Sequence, residues 1–239
     1  SDGEIDLNIS GGTAPFTFVW SNGDTTEKIT GLSIGSYSVV TTDANNCVRY
    51  HTITITEPSV LSASTSVPNV SCFQGSDGAI NLTVSGGTTN YSYAWSNGDT
   101  TEDISGLTQA TYSVIVTDNN GCLAYDTAVV TQPTELQSSI STTNVSCFGG
   151  NNGTIDLTVT GGTPSYTYSW SNSQTTQDID TLVKGTYTVV ISDANGCILR
   201  DTATITEPSI LEIRHSISNV SCNGGSDGRL NLSVAGGTT

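Results

Sequence analysis

The sequence predicts an all-β chain: immunoglobulin-like β-sandwich repeats in tandem, each about 75 residues long and small enough to need a disulfide staple. Three observations carry that expectation. Trp20, Trp95 and Trp170 recur at one constant step, and the six cysteines form two series with the same step, Cys47, Cys122, Cys197 and Cys72, Cys147, Cys222. The unit starts SDGEIDLNISGGT, SDGAINLTVSGGT, NNGTIDLTVTGGT and SDGRLNLSVAGGT align without insertion or deletion. Apolar residues alternate with polar ones in short runs, the period of half-buried strands, and no stretch carries a helical apolar stripe. The period divides the chain into residues 1–75, 76–150 and 151–225, with 226–239 opening a fourth unit.

The second unit sets out the elements in order. Ile80, Leu82 and Val84 alternate with polar neighbours and stop at Gly86-Gly87, which predicts a strand with one buried face. Tyr91, Tyr93 and Trp95 form the next, closed by the turn Asn97-Gly98-Asp99. A shorter strand is expected around Asp103 to Leu107. Tyr112, Val114 and Val116 then alternate toward Asp118-Asn119-Asn120-Gly121, a strong turn signal. Cys122 opens a strand that runs to Gln132-Pro133, and Leu136 begins a more polar one ending near Cys147. Six or seven short antiparallel strands at this spacing describe a sandwich. Its core is expected to hold Leu82, Val84, Tyr93 and Val114 with the periodic aromatics Trp20, Trp95, Trp170, Tyr37, Tyr112 and Tyr187.

Composition narrows the function. The formal charge is −16 with six basic residues, Lys28, Lys184, Arg49, Arg200, Arg214 and Arg229, no two of them adjacent. No basic patch exists to neutralise phosphates or anionic lipid head groups, so nucleic-acid and membrane-surface binding are excluded. The sequence contains no run apolar and long enough to span a membrane. An even, periodic cysteine set reads as disulfides of a secreted protein. No Cys-x-x-Cys pair occurs and His51 and His215 do not recur with the period, which removes zinc. The chain starts and stops mid-pattern, so a longer parent protein is expected.

The units resemble SprB repeats of giant cell-surface adhesins in gliding Bacteroidetes, and more widely the PKD-like sandwich repeats. The matching residues are Val70-Ser71-Cys72, Gly75-Ser76-Asp77-Gly78, Ser85-Gly86-Gly87-Thr88, Tyr91-Ser92-Tyr93 and Trp95-Ser96-Asn97-Gly98. Gly106-Leu107, Thr111-Tyr112-Ser113-Val114, Thr117-Asp118, Asn120-Gly121-Cys122 and Thr131-Gln132-Pro133 complete the pattern. The third unit departs at Ser173-Gln174 and the first at Asn46, both in turns. The resemblance implies an extracellular, outer-membrane-attached adhesin, exported by type IX secretion and served by the gliding machinery.

Chemistry finds little footing. The non-periodic histidines cannot supply a recurring nucleophile–base pair, and acidic pairs among Asp24, Glu27 and Asp43 read as turn formers, so no catalytic residue is expected. No cofactor is expected. Calcium is the one ion worth weighing, with Asp43, Asp118 and Asp193 as candidate ligands in recurring loops. Against it, Asn152 and Gln174 stand where other units have aspartate. Thr127, Thr181 and Thr202 follow aspartate and precede an apolar residue, a pattern resembling the O-glycosylation sequon of Bacteroidetes.

Two disulfide schemes fit the spacing. The short-span scheme, Cys47–Cys72, Cys122–Cys147 and Cys197–Cys222, uses all six cysteines. The long-span scheme, Cys72–Cys122 and Cys147–Cys197, leaves Cys47 and Cys222 unpaired. If the strand before Glu57-Pro58-Ser59 and the strand after it form a hairpin, Cys47 and Cys72 face each other, which favours the short-span scheme. In an end-to-end array the second strand instead enters the next sandwich and that bridge is out of reach. The expected function is a non-catalytic stalk segment of an adhesin, its partners being neighbouring repeats and an external surface or polysaccharide. The alternative is a multivalent module in which each repeat binds a glycan weakly.

Overall fold

A computed structural model describes residues 2–238. The described residues contain strands and turns and no helix. The first copy contributes β1 (Gly3–Asp6), β2 (Thr17–Trp20), β3 (Lys28–Leu32), β4 (Gly35–Thr42) and β5 (Val48–Ile55). The second contributes β6 (Ser62–Ser66), β7 (Gly78–Ser85), β8 (Ser92–Trp95), β9 (Ile104–Leu107), β10 (Ala110–Thr117) and β11 (Leu123–Val130). The third repeats that set as β12 (Gln137–Thr143), β13 (Gly153–Thr160), β14 (Thr167–Trp170), β15 (Ile179–Leu182), β16 (Gly185–Ser192) and β17 (Ile198–Ile205). The strands β18 (Glu212–Ser218) and β19 (Arg229–Ala235) open a fourth.

The chain falls into two compact units. One comprises Ser1–Ala63, Val84–Ser92 and Val116–Tyr125, and the other Ser64–Thr83, Tyr93–Ile115 and Asp126–Thr239. In the first unit, β1 pairs with β3 while β2, β4 and β5 form a second antiparallel sheet. Ile5, Trp20, Ile29, Leu32 and Val39 are buried between them.

The third copy, in the second unit, displays the whole architecture. One sheet has the order β12-β13-β15 and the other β14-β16-β17. Relabelled by position in the copy, these are strands A-B-E against C-F-G, the two-sheet connectivity of an immunoglobulin-type Greek key lacking the extra edge strand D. Inward residues from both sheets, Ile155, Leu157, Trp170, Leu182, Val189, Ile191 and Ile205 among them, form one core. β6-β7-β9 and β11-β10-β8 repeat the same orders in the second copy. The fold is therefore all-β and immunoglobulin-like.

Two aromatic positions hold each sandwich. The indole nitrogen of Trp20, Trp95 and Trp170 donates to the carbonyl oxygens of Thr26, Thr101 and Thr176 at 2.8, 2.9 and 3.0 Å, so each ring is buried with its polar atom satisfied. The hydroxyls of Tyr37, Tyr112 and Tyr187 donate to the carbonyl oxygens of Ser33, Thr108 and Val183, each a few positions upstream. That is the tyrosine corner expected where strand E turns into strand F. Tyr112 and Tyr187 are buried and Tyr37 half-buried; Leu82 and Val114 are buried, and Val84 and Tyr93 only partly so.

Strand pairing crosses the sequence period. β12 pairs with β13 across residues 150 and 151, from Gln137↔Thr160 to Thr143↔Thr154. β18 pairs with β19 across 225 and 226. The polar last strand of each period is thus strand A of the following sandwich: β6, after Glu57-Pro58-Ser59, pairs with β7 and does not fold back on β5 as a hairpin.

The cysteines show the consequence. Cys72 is bonded to Cys197, with Cα atoms 5.7 Å apart and a sequence separation of 125, and Cys47, Cys122, Cys147 and Cys222 are free and exposed. This corrects the short-span scheme. Cys72 and Cys197, each engaged with the other, bond neither Cys47 nor Cys222, and Cys122 and Cys147 are unbridged. The long-span alternative fails for a geometric reason. Cys197 precedes β17 at one end of the third sandwich, whereas Val145, just before Cys147, donates to the Thr206 carbonyl at the other end of β17. The full length of that strand, about 26 Å, separates them, far beyond disulfide reach.

Candidate functional site at the inter-repeat joint

The motifs that recur most strictly assemble where one copy hands over to the next. The Gly-Gly-Thr segment after strand B folds over the incoming linker. The N–H groups of Gly87, Gly162 and Gly237 donate to the carbonyl oxygens of Ser59, Thr134 and Ser209. The preceding glycines, Gly86, Gly161 and Gly236, have φ of +74°, +74° and +81° and lie so close to the linker that a Cβ would overlap the carbonyl oxygens of Val60, Glu135 and Ile210. Both conditions demand glycine.

An aspartate turn locks that loop. One carboxylate oxygen of Asp193 accepts the Thr163 N–H at 2.8 Å, and the other accepts the N–H groups of Asn195 and Cys197, each at 2.9 Å. Asp118 holds Thr88, Asn120 and Cys122 in the same way, and Asp43 holds Thr13, Asn45 and Cys47. These bonds favour the charged form. The Cys47 and Thr13 N–H groups hold the Asp43 carboxyl below its usual range, and those of Thr88 and Cys122 do so for Asp118. Burial pushes Asp193 upward, yet the N–H groups of Thr163, Cys197, Asn195 and Gly196 together outweigh it. The negative field of Asp118 raises the Cys122 thiol.

The opposite end of each copy after the first presents the Val-Ser-Cys loop. Asp77, Asn152 and Asp227 accept the N–H groups of Ser71, Ser146 and Ser221, all at 3.0 Å. Gly75, Gly150 and Gly225 donate to the carbonyls of Cys72, Cys147 and Cys222 and close the turn. At the joint between the second and third sandwiches the two ends meet. The side-chain amide of Asn195 donates to the Ser71 carbonyl at 2.9 Å, and the Cys72–Cys197 bridge lies beside it.

The candidate calcium ligands Asp43, Asp118 and Asp193 therefore carry backbone N–H groups. Where the third copy has amides for acids, the hydrogen bonds persist: Asn152 replaces Asp77, and Gln174 accepts from Asn172 as Asp99 accepts from Asn97. Among the described residues no cluster of three or more His, Cys, Asp or Glu has metal-site geometry. Thr127, Thr181 and Thr202 are exposed. Tyr50 and Tyr125 are 74% and 67% exposed, but Leu199 at the same position is partly buried.

A cavity of about 510 Å³ in the first copy is lined by Leu7, Phe16, Val39, Asp43 and His51 among others. Its walls correspond to those that Leu136 and β12 cover in the third copy, so it marks the place of a strand A, a counterpart of which the described residues of the first copy do not contain. Sequence reasoning missed the joint because its partners lie far apart in the chain. The signal was present in the recurring Gly-Gly-Thr and Asp-x-Asn-x-Cys pieces, which no core requirement explains.

The SprB repeat family model matches residues 1–25, 64–100, 139–175 and 215–239, just over half of the chain. No curated protein is similar at a significant level. Among solved structures, the chain is similar to the N-terminal eight Ig domains of Down Syndrome Cell Adhesion Molecule isoform 1.30.30, at 12% identity and a TM-score of 0.34, covering 89% of this chain and 35% of that one. Murine CEACAM1b gives 18% identity and a TM-score of 0.26, covering 63% of this chain and 100% of that one. Scores this low carry no functional inference, and the fold rests on the strand pairing itself. Four matched segments, spaced like the repeats, identify the chain as a member of the SprB repeat family.

Proposed function

We propose that this chain is a non-catalytic stalk or filament segment of a large secreted cell-surface adhesin. The observation that supports it is the joint. The same glycine clamp recurs at three linkers, the aspartate staple recurs in three copies, and at one joint a disulfide joins consecutive sandwiches. Such a joint transmits force and fixes spacing, which is what an array is good for. The folding unit in this reading is offset from the sequence period: one sandwich runs from β6 to β11, the next from β12 to β17. The charge of −16 and the Thr- and Ser-rich faces keep such a segment soluble and discourage strand-edge pairing.

By family resemblance the parent adhesin is exported by type IX secretion, attached at the outer membrane and engaged with the gliding machinery, and it meets an external surface or polysaccharide. Thr127, Thr181 and Thr202, all exposed, are the proposed O-glycan acceptors. The glycan-binding alternative is weaker because its aromatic series breaks at Leu199. Presenting the isolated chain to a polysaccharide array tests both readings. A stalk binds none and hydrolyses none; saturable binding to one polysaccharide supports the alternative, and hydrolysis makes the protein an enzyme.

A further inference from the structure

We propose that the Cys72–Cys197 bridge is one rung of a ladder in which every Val-Ser-Cys cysteine bonds the Asn-Gly-Cys-type cysteine at the same downstream separation of 125. The register follows from the fold. Cys72 lies between strands A and B at the trailing end of one sandwich, and Cys197 lies between strands F and G at the leading end of the next. Both loops are pre-shaped by bonds that do not involve sulfur: the Ser71 N–H to Asp77, the Gly75 N–H to the Cys72 carbonyl, and the Cys197 N–H to Asp193.

Each remaining cysteine occupies one half of the same device. Cys147 and Cys222 sit in Val-Ser-Cys loops held by Asn152 and Asp227, and Cys47 and Cys122 in turns held by Asp43 and Asp118. Within this sequence, only Cys72 and Cys197 are separated by one full repeat plus the stretch from a Val-Ser-Cys to the next Asn-Gly-Cys. The rule thus accounts for all six cysteines, one bridge and four exposed thiols. It makes the stalk covalently continuous at each joint by a bond parallel to the backbone. Every rung forms when a thiol pair gives two electrons and two protons to an external disulfide, which leaves as two thiols.

The inference rests on the tandem-stalk reading, but its test reads bond connectivity alone, whereas that reading is tested on polysaccharides. Residues 165–207 are appended after Thr239 to complete the fourth sandwich, and the chain is oxidised with glutathione disulfide, alkylated and mapped without reduction. The expected result is a second bridge from Cys147 to the added cysteine, with alkylated thiols falling from four to three, at Cys47, Cys122 and Cys222. Cys147 still alkylated, or bonded within its own sandwich, overturns the proposal. In the unextended chain, Cys197→Ser should leave Cys72 alkylated. A Cys72–Cys122 bridge in that variant equally overturns it.

Discussion

Asn195 reaches across a sequence separation of 124 to donate its side-chain amide to the Ser71 carbonyl at 2.9 Å, next to the cysteine that Cys197 bonds. The same amide also donates to the Thr163 hydroxyl at 3.0 Å. One side chain therefore ties the Gly-Gly-Thr loop, the aspartate turn and the preceding sandwich. Asn195→Ala should leave the sandwich core intact and lower the melting temperature by only a few degrees, consistent with hydrogen bonds worth about 1 kcal/mol each. The discriminating readout is faster amide exchange at Cys72 and Thr163 with Trp170 unchanged.

Trp170, 3% exposed, fills the third core. Trp170→Ala should cost about 3–5 kcal/mol, comparable to the stability of a sandwich this small. A variant that melts like the parent would show the ring to be peripheral.

Gly161 has φ +74° and no room for a Cβ against Glu135. Gly161→Ala should cost about 1–2 kcal/mol from the left-handed backbone alone, with more from displacing the linker. Gly149, also at positive φ but with nothing near its Cβ position, is the control: its alanine variant should lose only the backbone part.

Acid should loosen the joints. Asp43, Asp118 and Asp193 have carboxyls lowered in the folded state by backbone N–H groups. Their contribution is fully present above the unfolded carboxyl value of about 4 and is lost as pH falls through the lower folded value. Melting temperature should therefore be flat from neutrality to about pH 5 and decline below about pH 4. Asp193→Asn should lose stability at neutral pH and flatten part of that decline.

Much of this fold was legible in the sequence because its signals are local. Ile155 and Leu157 alternate with polar residues, Trp170 ends a short strand, and Asn-Gly and Asp-x-Asn mark turns that the structure contains. The phase was not legible. Gln137–Thr143 alternates weakly, and Pro58 beside Glu57 looks like a hairpin turn, yet strand A finds its partner downstream, where Ile140 can pack against a core. Disulfide pairing was illegible for the same reason, since the short, the long and the observed spacing all repeat with one and the same period. In the sequence Asp193 stands only as a candidate ion ligand, because a sequence cannot say whose N–H groups a carboxylate accepts.

Metal dependence separates those readings in solution. Chelation with EDTA should leave the melting temperature of the oxidised chain unchanged, since the three aspartates are occupied by N–H groups. A fall restored by calcium would assign them as ligands.

Removing the bridge should matter more than any single hydrogen bond. A closed loop with a sequence separation of 125 corresponds to about 5 kcal/mol of chain entropy, an upper bound since each sandwich also folds on its own contacts. Cys72→Ser should lower the melting temperature, and reduction of the parent should reproduce the loss without adding to it in the variant.

Non-reducing peptide mapping of the oxidised chain tests the covalent joint most directly. The expected result is one crosslinked peptide pair joining Cys72 to Cys197, with Cys47, Cys122, Cys147 and Cys222 alkylated. A pair joining Cys147 to Cys197, or Cys197 to Cys222, would place the bridge within one sandwich or across a hairpin and contradict it.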